Sequence, residues 1–510
     1  MPGYGNLLRS LEQSTIEPVQ AIVKGTIPDW VEGVLYRNGP GRFKFGEKMH
    51  QHVFDGGACV HKFKVQDGQV FYSNRLLETN SYKQTLETGR LTPNFGSIDI
   101  ESNMFGRFKT FFSGNKERHD NTNVNIAPFA NEHLYALTEM HLVCKLKPEN
   151  LEITETVNIT NYLPEVSRIF AHPHVEKDGT WITMGVTSGG FNKTPVFKFI
   201  KYLGGEKGAE SRNFAENGEV IASLPSSYNN GYSYFHSFAL TDNYIIFLEQ
   251  SIMLYFTSYI RDVLIMNKSF SQTMVSDTTL PTRIHVINRH TGERVEKNFH
   301  TDSQFTFHCI NAYEDKDEIV VDLSSYDSNY FTTETFNYEN SYTDKILGSK
   351  ALWPVAKRIR IPLKSEQDDI FCELKSLKED LPFEFPIINY SKYNGQRYKY
   401  VYGANHFKLP FSVIKLNVDE PENFYEFNYG SSENREIPSE PIFVENPNGS
   451  SEDDGVLLVL VLSDKNDYLS VLDAKDLKEL ARAEIPEQVK SAFTFHGFFA
   501  DGKTFEKLNV

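Results

Sequence analysis

Short bursts of apolar residues, each closed by a polar turn, run through most of this chain. TWITMGVT (Thr180 to Thr187), NYIIFLEQ (Asn243 to Gln250), RIHVINR (Arg283 to Arg289) and EIVVDLSS (Glu318 to Ser325) are typical. Runs of this length bounded by Asp, Asn and Gly carry the strand signal. Asp55-Gly56-Gly57 and Asp67-Gly68 lie between such runs and predict hairpins. DGVLLVLVLS (Asp454 to Ser463) is the most apolar run, too short to span lipid and suited to a buried strand. In YRNGPG (Tyr36 to Gly41), the series Gly39, Pro40, Gly41 predicts a tight turn. LLRSLEQ (Leu7 to Gln13) predicts a short helical arm, and AKDLKELARAE (Ala474 to Glu484) either a short helix or a loop leading into a strand. Residues 330–382 are polar and mixed and read as a surface excursion, with the β pattern resuming at RIRIPL (Arg358 to Leu363). Many short strands with few helices imply a closed or nearly closed all-β architecture. No clean repeat period emerges, so the pattern leaves the number of sheets open.

Four histidines recur in one setting. His172 lies in IFAHPHVEKDG, His236 in YFHSFALTDN, His308 in FTFHCINAYED and His496 in FTFHGFFADG. Each follows apolar or aromatic residues and precedes a turn of Asp, Asn or Gly. A single histidine among aromatics is more often a hydrogen-bonded core residue than a ligand, and these separations match no compact zinc motif. Spread ligands still converge when each sits at the inner end of a strand in a radial arrangement of sheets. On that geometry the four imidazoles hold one metal. Imidazole suits iron, copper, zinc and nickel, whereas structural zinc normally draws on cysteine in a closed site. Ferrous iron commonly takes six ligands, and four imidazoles leave two positions for oxygen and substrate. Neutral ligands call for outer carboxylates to orient the rings. Glu139 in ALTEMHLV, Glu384 in FEFPIINY and Glu440 in SEPIFV sit in apolar strands where an unpaired charge is costly.

Composition narrows the classes. Aromatic residues make up 13%, with 39 Phe and 26 Tyr, which favours strands. The net charge of −16 argues against a nucleic-acid partner, since a phosphate-binding surface needs a basic excess. The cysteines, Cys59, Cys144, Cys309 and Cys372, have no CxxC spacing and read as reduced thiols. The first residues lack the basic and apolar regions of a signal peptide, and no apolar run reaches bilayer length. The expectation is a cytoplasmic protein, soluble or peripherally membrane-associated.

On YRNGPG, HVFDGGACVHKF, ALTE, AHPH, YFHSFALT, FHCINAYED, FEFPIINY, SEPIFVENP, EDDGVLL and FTFHGFF, in this order, the chain resembles the carotenoid cleavage oxygenases. The resemblance covers nearly the whole chain and is nearest to the animal branch: the β-carotene oxygenases, the insect carotenoid isomerooxygenase and the retinoid isomerohydrolase. It implies that residues 1–510 form a single seven-bladed β-propeller, with long inter-strand insertions making a helical and loop cap over an axial Fe(II). By motif position, it implies His172, His236, His308 and His496 as ligands, with His174 left as a neighbour. It implies Glu139, Glu384 and Glu440 as outer carboxylates for His236, His308 and His496, leaving His172 without one. Thr138, beside Glu139, is implied as a residue crowding one open iron position. Two departures stand out. Cys309 replaces the His or Gln that animal relatives often carry there. The PDPC segment of vertebrate members is absent, FGSIDIESNMFGRF standing in its place, which removes the basis for a lipid-anchored cysteine there.

The implied reaction is dioxygen-dependent cleavage of a carotenoid at a polyene double bond, first of all the central one of a β-carotene-type substrate, giving retinal and other apocarotenoid aldehydes, with or without coupled trans-to-cis isomerisation. A retinyl ester isomerohydrolase that consumes no oxygen is the alternative within the family, and a non-catalytic carotenoid or retinoid carrier the alternative outside enzymology. A substrate stored in membranes predicts peripheral membrane contact. Phe105 to Phe112, Pro195 to Gly205 and Ser251 to Met266 mix aromatic and basic residues in the manner of an interface. Core packing explains the third segment almost as well.

Overall fold

The computed structural model describes residues 7–91, 95–96, 103–107, 120–187, 193–327, 336–338, 347, 349–431 and 434–508. Seven of its sheets have four or more strands, and the chain visits them nearly in order. The first is built on Gly33–Arg42, Gly57–Gln66 and Gln69–Leu76, and it is completed by His496–Asp501 from the far end of the chain. The second holds Asn125–Phe129 to Ile153–Asn158, and the third Val166–Ile169, Trp181–Thr187, Val196–Tyr202 and Gly218–Pro225. The fourth centres on Tyr244–Glu249 and Thr282–Asn288, the fifth on Gln304–Asp315 and Glu318–Asp327, and the sixth on Tyr400–Asn405 and Ser412–Asn417. The seventh centres on Gly455–Ser463 and Tyr468–Asp473, with Ile22–Gly25 from the N-terminal region on its edge.

Apolar contacts close these sheets into a ring. Val34, Tyr36 and Ala58 of the first sheet pack on Ile126, Leu134 and Cys144 of the second. Tyr135 and Val143 meet Trp181 and Tyr202 across the next interface, and Met184 and Phe197 meet Ile245 and Phe247 across the one after. Ile246 and Val286 pack on Val321 and Ile359, then Val320 on Val401 and Ile414, then Tyr402 and Val413 on Val459 and Leu472. Leu35 and Phe63 with Val456 and Leu469 return to the start. Each interface is a dry layer between two twisted sheets, and each fully buried aliphatic or aromatic side chain in it contributes about 1.5–3 kcal/mol of transfer free energy. Wedging seven such layers round a circle is the propeller solution to exposed sheet edges. Exchange of strands between the chain ends, His496–Asp501 on the first sheet and Ile22–Gly25 on the seventh, latches the ring.

Several local expectations fail, for tertiary reasons. YRNGPG is no turn: Gly33–Arg42 is one strand, with a register shift between Pro40 and Arg42. Gly39 and Gly41 serve close approach instead, since a Cβ there would lie 2.5 Å from the Phe493 carbonyl oxygen and 2.3 Å from Cys59 Cβ. LLRSLEQ is no helix. Arg9 is tied to Asp467 at 2.6 Å, and Leu7 and Leu8 pack with Phe411 and Leu462. AKDLKELARAE resolves as a turn into the strand Glu479–Glu484. Within residues 330–382 the strand-like RIRIPL does form a strand: Val355–Pro362 joins the fifth sheet. Pro195 to Gly205 is the core strand Val196–Tyr202, whose Phe197, Phe199 and Tyr202 are fully buried, so it presents no membrane face. The four cysteines are unpaired. No helix among the described residues is long and apolar enough to cross a membrane.

Candidate metal centre

Strand ends and the loops between sheets carry the four histidines to the centre of the ring. His172 follows Val166–Ile169 of the third sheet, and His236 lies just before Ala239–Leu240 of the fourth. His308 lies within Gln304–Asp315, at an irregularity in its pairing between Thr306 and Cys309. His496 opens the last strand, opposite Asn38. Gly497 keeps that strand in place: a Cβ there would stand 2.1 Å from the Tyr36 carbonyl oxygen. One ligand atom from each of the four imidazoles lies within 4.8 Å of all the others. Ring centroids of His172 are 4.4 Å from those of His236 and His496 and 5.2 Å from that of His308.

Three carboxylates orient three of these rings. Glu139 Oε1 pairs with His236 Nδ1, Glu384 Oε2 with His308 Nδ1 at 2.6 Å, and Glu440 Oε1 with His496 Nδ1 at 2.8 Å. Engaging Nδ1 turns each Nε2 toward the other imidazoles. No carboxylate pairs with His172 among the described residues. His174 is spent elsewhere: its Nε2 lies 3.0 Å from the Phe238 carbonyl and its Nδ1 3.1 Å from Asn394 Oδ1.

Each carboxylate has a further partner that sequence reasoning missed. Tyr234 donates its hydroxyl to Glu139 at 3.1 Å, and Tyr326 donates to Glu384 Oε1 at 2.9 Å. Arg37, fully buried, donates Nη1 to Glu440 Oε2 at 2.7 Å and Nη2 to the Phe495 carbonyl at 3.0 Å. A charged residue inside the apolar strand that begins GVLYRN was the available signal for Arg37. Tyr326 reaches Glu384 only through the pairing of Phe305 with Tyr326, which no local pattern states.

Electrostatics favour the neutral imidazole at two of the four histidines. Burial, then the neighbouring histidines, hold His172 and His496 well below the ordinary imidazole range. Burial pushes Glu384 up, but His308, the Phe385 N–H and Tyr326 outweigh it and leave the carboxyl below its usual value. At Glu440 burial wins over Arg37, and the carboxyl is pushed up to about 7. Phe385, beside His308 and His496, has a φ of 52°, a left-handed conformation costing a non-glycine residue about 1–3 kcal/mol. Its N–H donation to Glu384 is the compensating contact.

The donor set fits a metal on this structure's own terms. His172 Nε2 and His308 Nε2 are buried and without a hydrogen-bond partner, which is costly unless another group occupies the space they face. Above the cluster lies a cavity of about 270 Å³ lined largely by aromatic side chains, among them Phe54, Phe95, Phe307 and Phe495, and it reaches Thr138, His236, His308 and His496.

The family model described as retinal pigment epithelial membrane protein matches residues 8–501. The chain belongs to this family. Among its relatives, the β,β-carotene 15,15'-dioxygenase of Homo sapiens is 32% identical over 95% of this chain and 92% of its own length. The enzyme of that name from Rattus norvegicus is 31% identical, covering 96% and 90%. Solved structures agree in fold. An ACO/RPE65 chimera superposes with a TM-score of 0.78 at 23% identity, covering 97% of this chain and 98% of that one. Cobalt-substituted Synechocystis ACO gives 0.77 at 23% identity, with the same coverage. The family match spans every sheet of the ring and all four central histidines.

Proposed function

We propose that this family member is a non-haem iron(II) dioxygenase. It cleaves a carotenoid of the β-carotene type at a polyene double bond, first of all the central 15,15' bond named in its relatives, to retinal-type aldehydes. The carrying observation is the meeting of four imidazoles, two of them with unpartnered buried nitrogens, beside an aromatic cavity that three of them line. His172, His236, His308 and His496 hold the metal, and Glu139, Glu384 and Glu440 fix three of the rings. Ferrous iron bound there supplies oxidative scission of a carbon–carbon double bond by dioxygen, both oxygen atoms ending in the two aldehydes. The chain's own part is to bind, orient and dry the polyene. Phe54, Phe307 and Phe495 present flat apolar surfaces to it, and their π-faces favour cationic polyene character if the product is isomerised. Thr138 is buried at the cavity wall and would crowd one side of a metal held by the four histidines. No lining residue is needed as a nucleophile, which matches the lack of any serine or cysteine hydrolase constellation among those that line the cavity.

The same reading treats the chain as one propeller domain whose insertions form the cap, and it places the cap against a membrane. Residues 104–107 tie to the segment Arg261–Ile265, Arg107 Nε donating to the Leu264 carbonyl at 3.0 Å. Together with the adjoining Met266 they expose Met104, Phe105 and Ile265, and Phe105 is 82% exposed. Tyr259 and Phe270, which flank that segment in sequence, line the cavity. An apolar patch beside an apolar cavity is how a polyene leaves lipid without crossing water. Residues 108–112 lie outside the described residues.

One incubation tests the reaction. Iron-loaded protein receives β-carotene or a retinyl ester in micelles while oxygen uptake and products are followed. Oxygen uptake with two aldehydes from β-carotene is the expected result. Retinol from the ester without oxygen would establish isomerohydrolase chemistry instead, and binding without either product would leave a carrier.

A further inference from the structure

We propose that Arg168 is a specificity-determining residue: it binds an oxygen atom at one end of the polyene, so the preferred substrate is an oxygenated carotenoid or apocarotenoid rather than a pure hydrocarbon. The inference rests on the dioxygenase reading above and narrows its substrate class.

Among the described residues lining the cavity, Arg168 is the one lysine or arginine. It sits on Val166–Ile169, opposite Val186, on the strand that leads directly to His172. Four residues of chain span at most about 14 Å, which bounds the distance from the Arg168 backbone to that of His172. Its guanidinium carbon lies 4.2 Å above the ring of Phe270, itself a lining residue. Tyr259, another lining residue, meets the same ring edge-on at 6.1 Å. Stacking holds the guanidinium plane still and leaves its N–H edge for in-plane acceptors. No hydrogen bond or ion pair joins Arg168 to a side chain among the described residues. The two carboxylates that line the cavity are both engaged, Glu139 with His236 and Tyr234, and Glu384 with His308 and Tyr326.

An apolar ligand makes this arrangement expensive. A hydrocarbon end group filling the cavity would strip water from a half-buried cation and return no acceptor. A ring hydroxyl, ring ketone or chain-end carbonyl restores the bond. A site built around a donor discriminates against the analogue lacking its acceptor far more strongly than an apolar pocket discriminates by size. The shared chemistry is therefore an accepting oxygen at a polyene terminus, on a ring or on an open chain.

The test uses the full-length, iron-loaded protein and three polyenes in the same micelles: β-carotene, its ring-hydroxylated counterpart, and an apocarotenoid with a chain-end aldehyde. Cleavage is read as kcat/KM, and binding as the shift of the polyene absorption band, which needs no turnover. The wild type is expected to favour at least one oxygenated substrate over β-carotene by about tenfold or more. Arg168→Leu is expected to lower that ratio by about tenfold, and Arg168→Lys to keep part of it. The hydroxylated and aldehyde arms separate a ring oxygen from a chain-end oxygen. Equal handling of all three by the wild type, or a ratio unmoved in Arg168→Leu, would overturn the assignment while leaving the dioxygenase reading standing. No cleavage of any polyene, with an Arg168-dependent binding preference intact, would overturn the dioxygenase reading and support the assignment.

Discussion

Histidine–glutamate pairs occur both at the axis and inside a blade, and the two kinds are wired differently. At the axis the carboxylates take Nδ1 of His236, His308 and His496. In the fourth sheet Glu249 takes Nε2 of His285, at 2.9 Å. Glu249 is saturated there by the Ser226 hydroxyl at 3.1 Å, the Ser227 N–H at 3.0 Å and the Ser227 hydroxyl. That pair is closed, a buried polar network with its needs met. At the axis the remaining nitrogens face one another and His172 across a shared space, and Nε2 of His308 and of His172 has no hydrogen-bond partner. A buried histidine–carboxylate pair therefore says little by itself. What matters is which nitrogen is tied and whether the other converges with its like.

The largest expected break in this contrast is His236→Ala. It should abolish metal retention while leaving a folded β protein, checked by metal analysis alongside circular dichroism; normal metal content would remove His236 from the site. Next is Arg37→Leu, which strands the buried Glu440 carboxyl. Removing one partner of a buried pair costs about 3–5 kcal/mol, and chemical denaturation should show a loss of that size. Glu384→Gln keeps the shape and weakens the orientation of His308. Metal affinity should fall about 10–100-fold by competition with a chelator, and an unchanged affinity would make Glu384 a packing residue only.

The smallest effect belongs to the closed pair. Glu249→Gln should cost about 1 kcal/mol of stability with metal content unchanged. Burial pushes Glu249 up, but His285 and Ser227 hold its carboxyl below the ordinary value. The stability from this pair is thus present above the ordinary carboxylate pKa and disappears as pH falls through the lowered one. The acid limb of unfolding should be shallower in Glu249→Gln, and a steeper limb would reverse the sign assigned here.

Strand content and the buried run Gly455–Ser463 were legible from periodicity, because pleated strands pack one face or both against apolar neighbours. The sheet count was not, since insertions between strands erase any period; the family resemblance carried it. Histidine context marked the four imidazoles that meet. Their supports were less visible. Tyr326 and Arg37 act across strand pairings set by register, and register is a property of the assembled sheets. The turn expected at Gly39-Pro40-Gly41 failed for a related reason. Glycines demanded by close approach of another backbone look, in sequence, like glycines demanded by a turn.

Titration of the metal-free protein with Co(II), read by its ligand-field spectrum and by X-ray absorption, tests the central claim most directly. One ion per chain is expected, with four imidazole nitrogens around it, and the signal should be lost when any one of His172, His236, His308 or His496 is replaced by alanine. Binding that survives all four replacements, or an ion coordinated by carboxylate or thiolate, would contradict it.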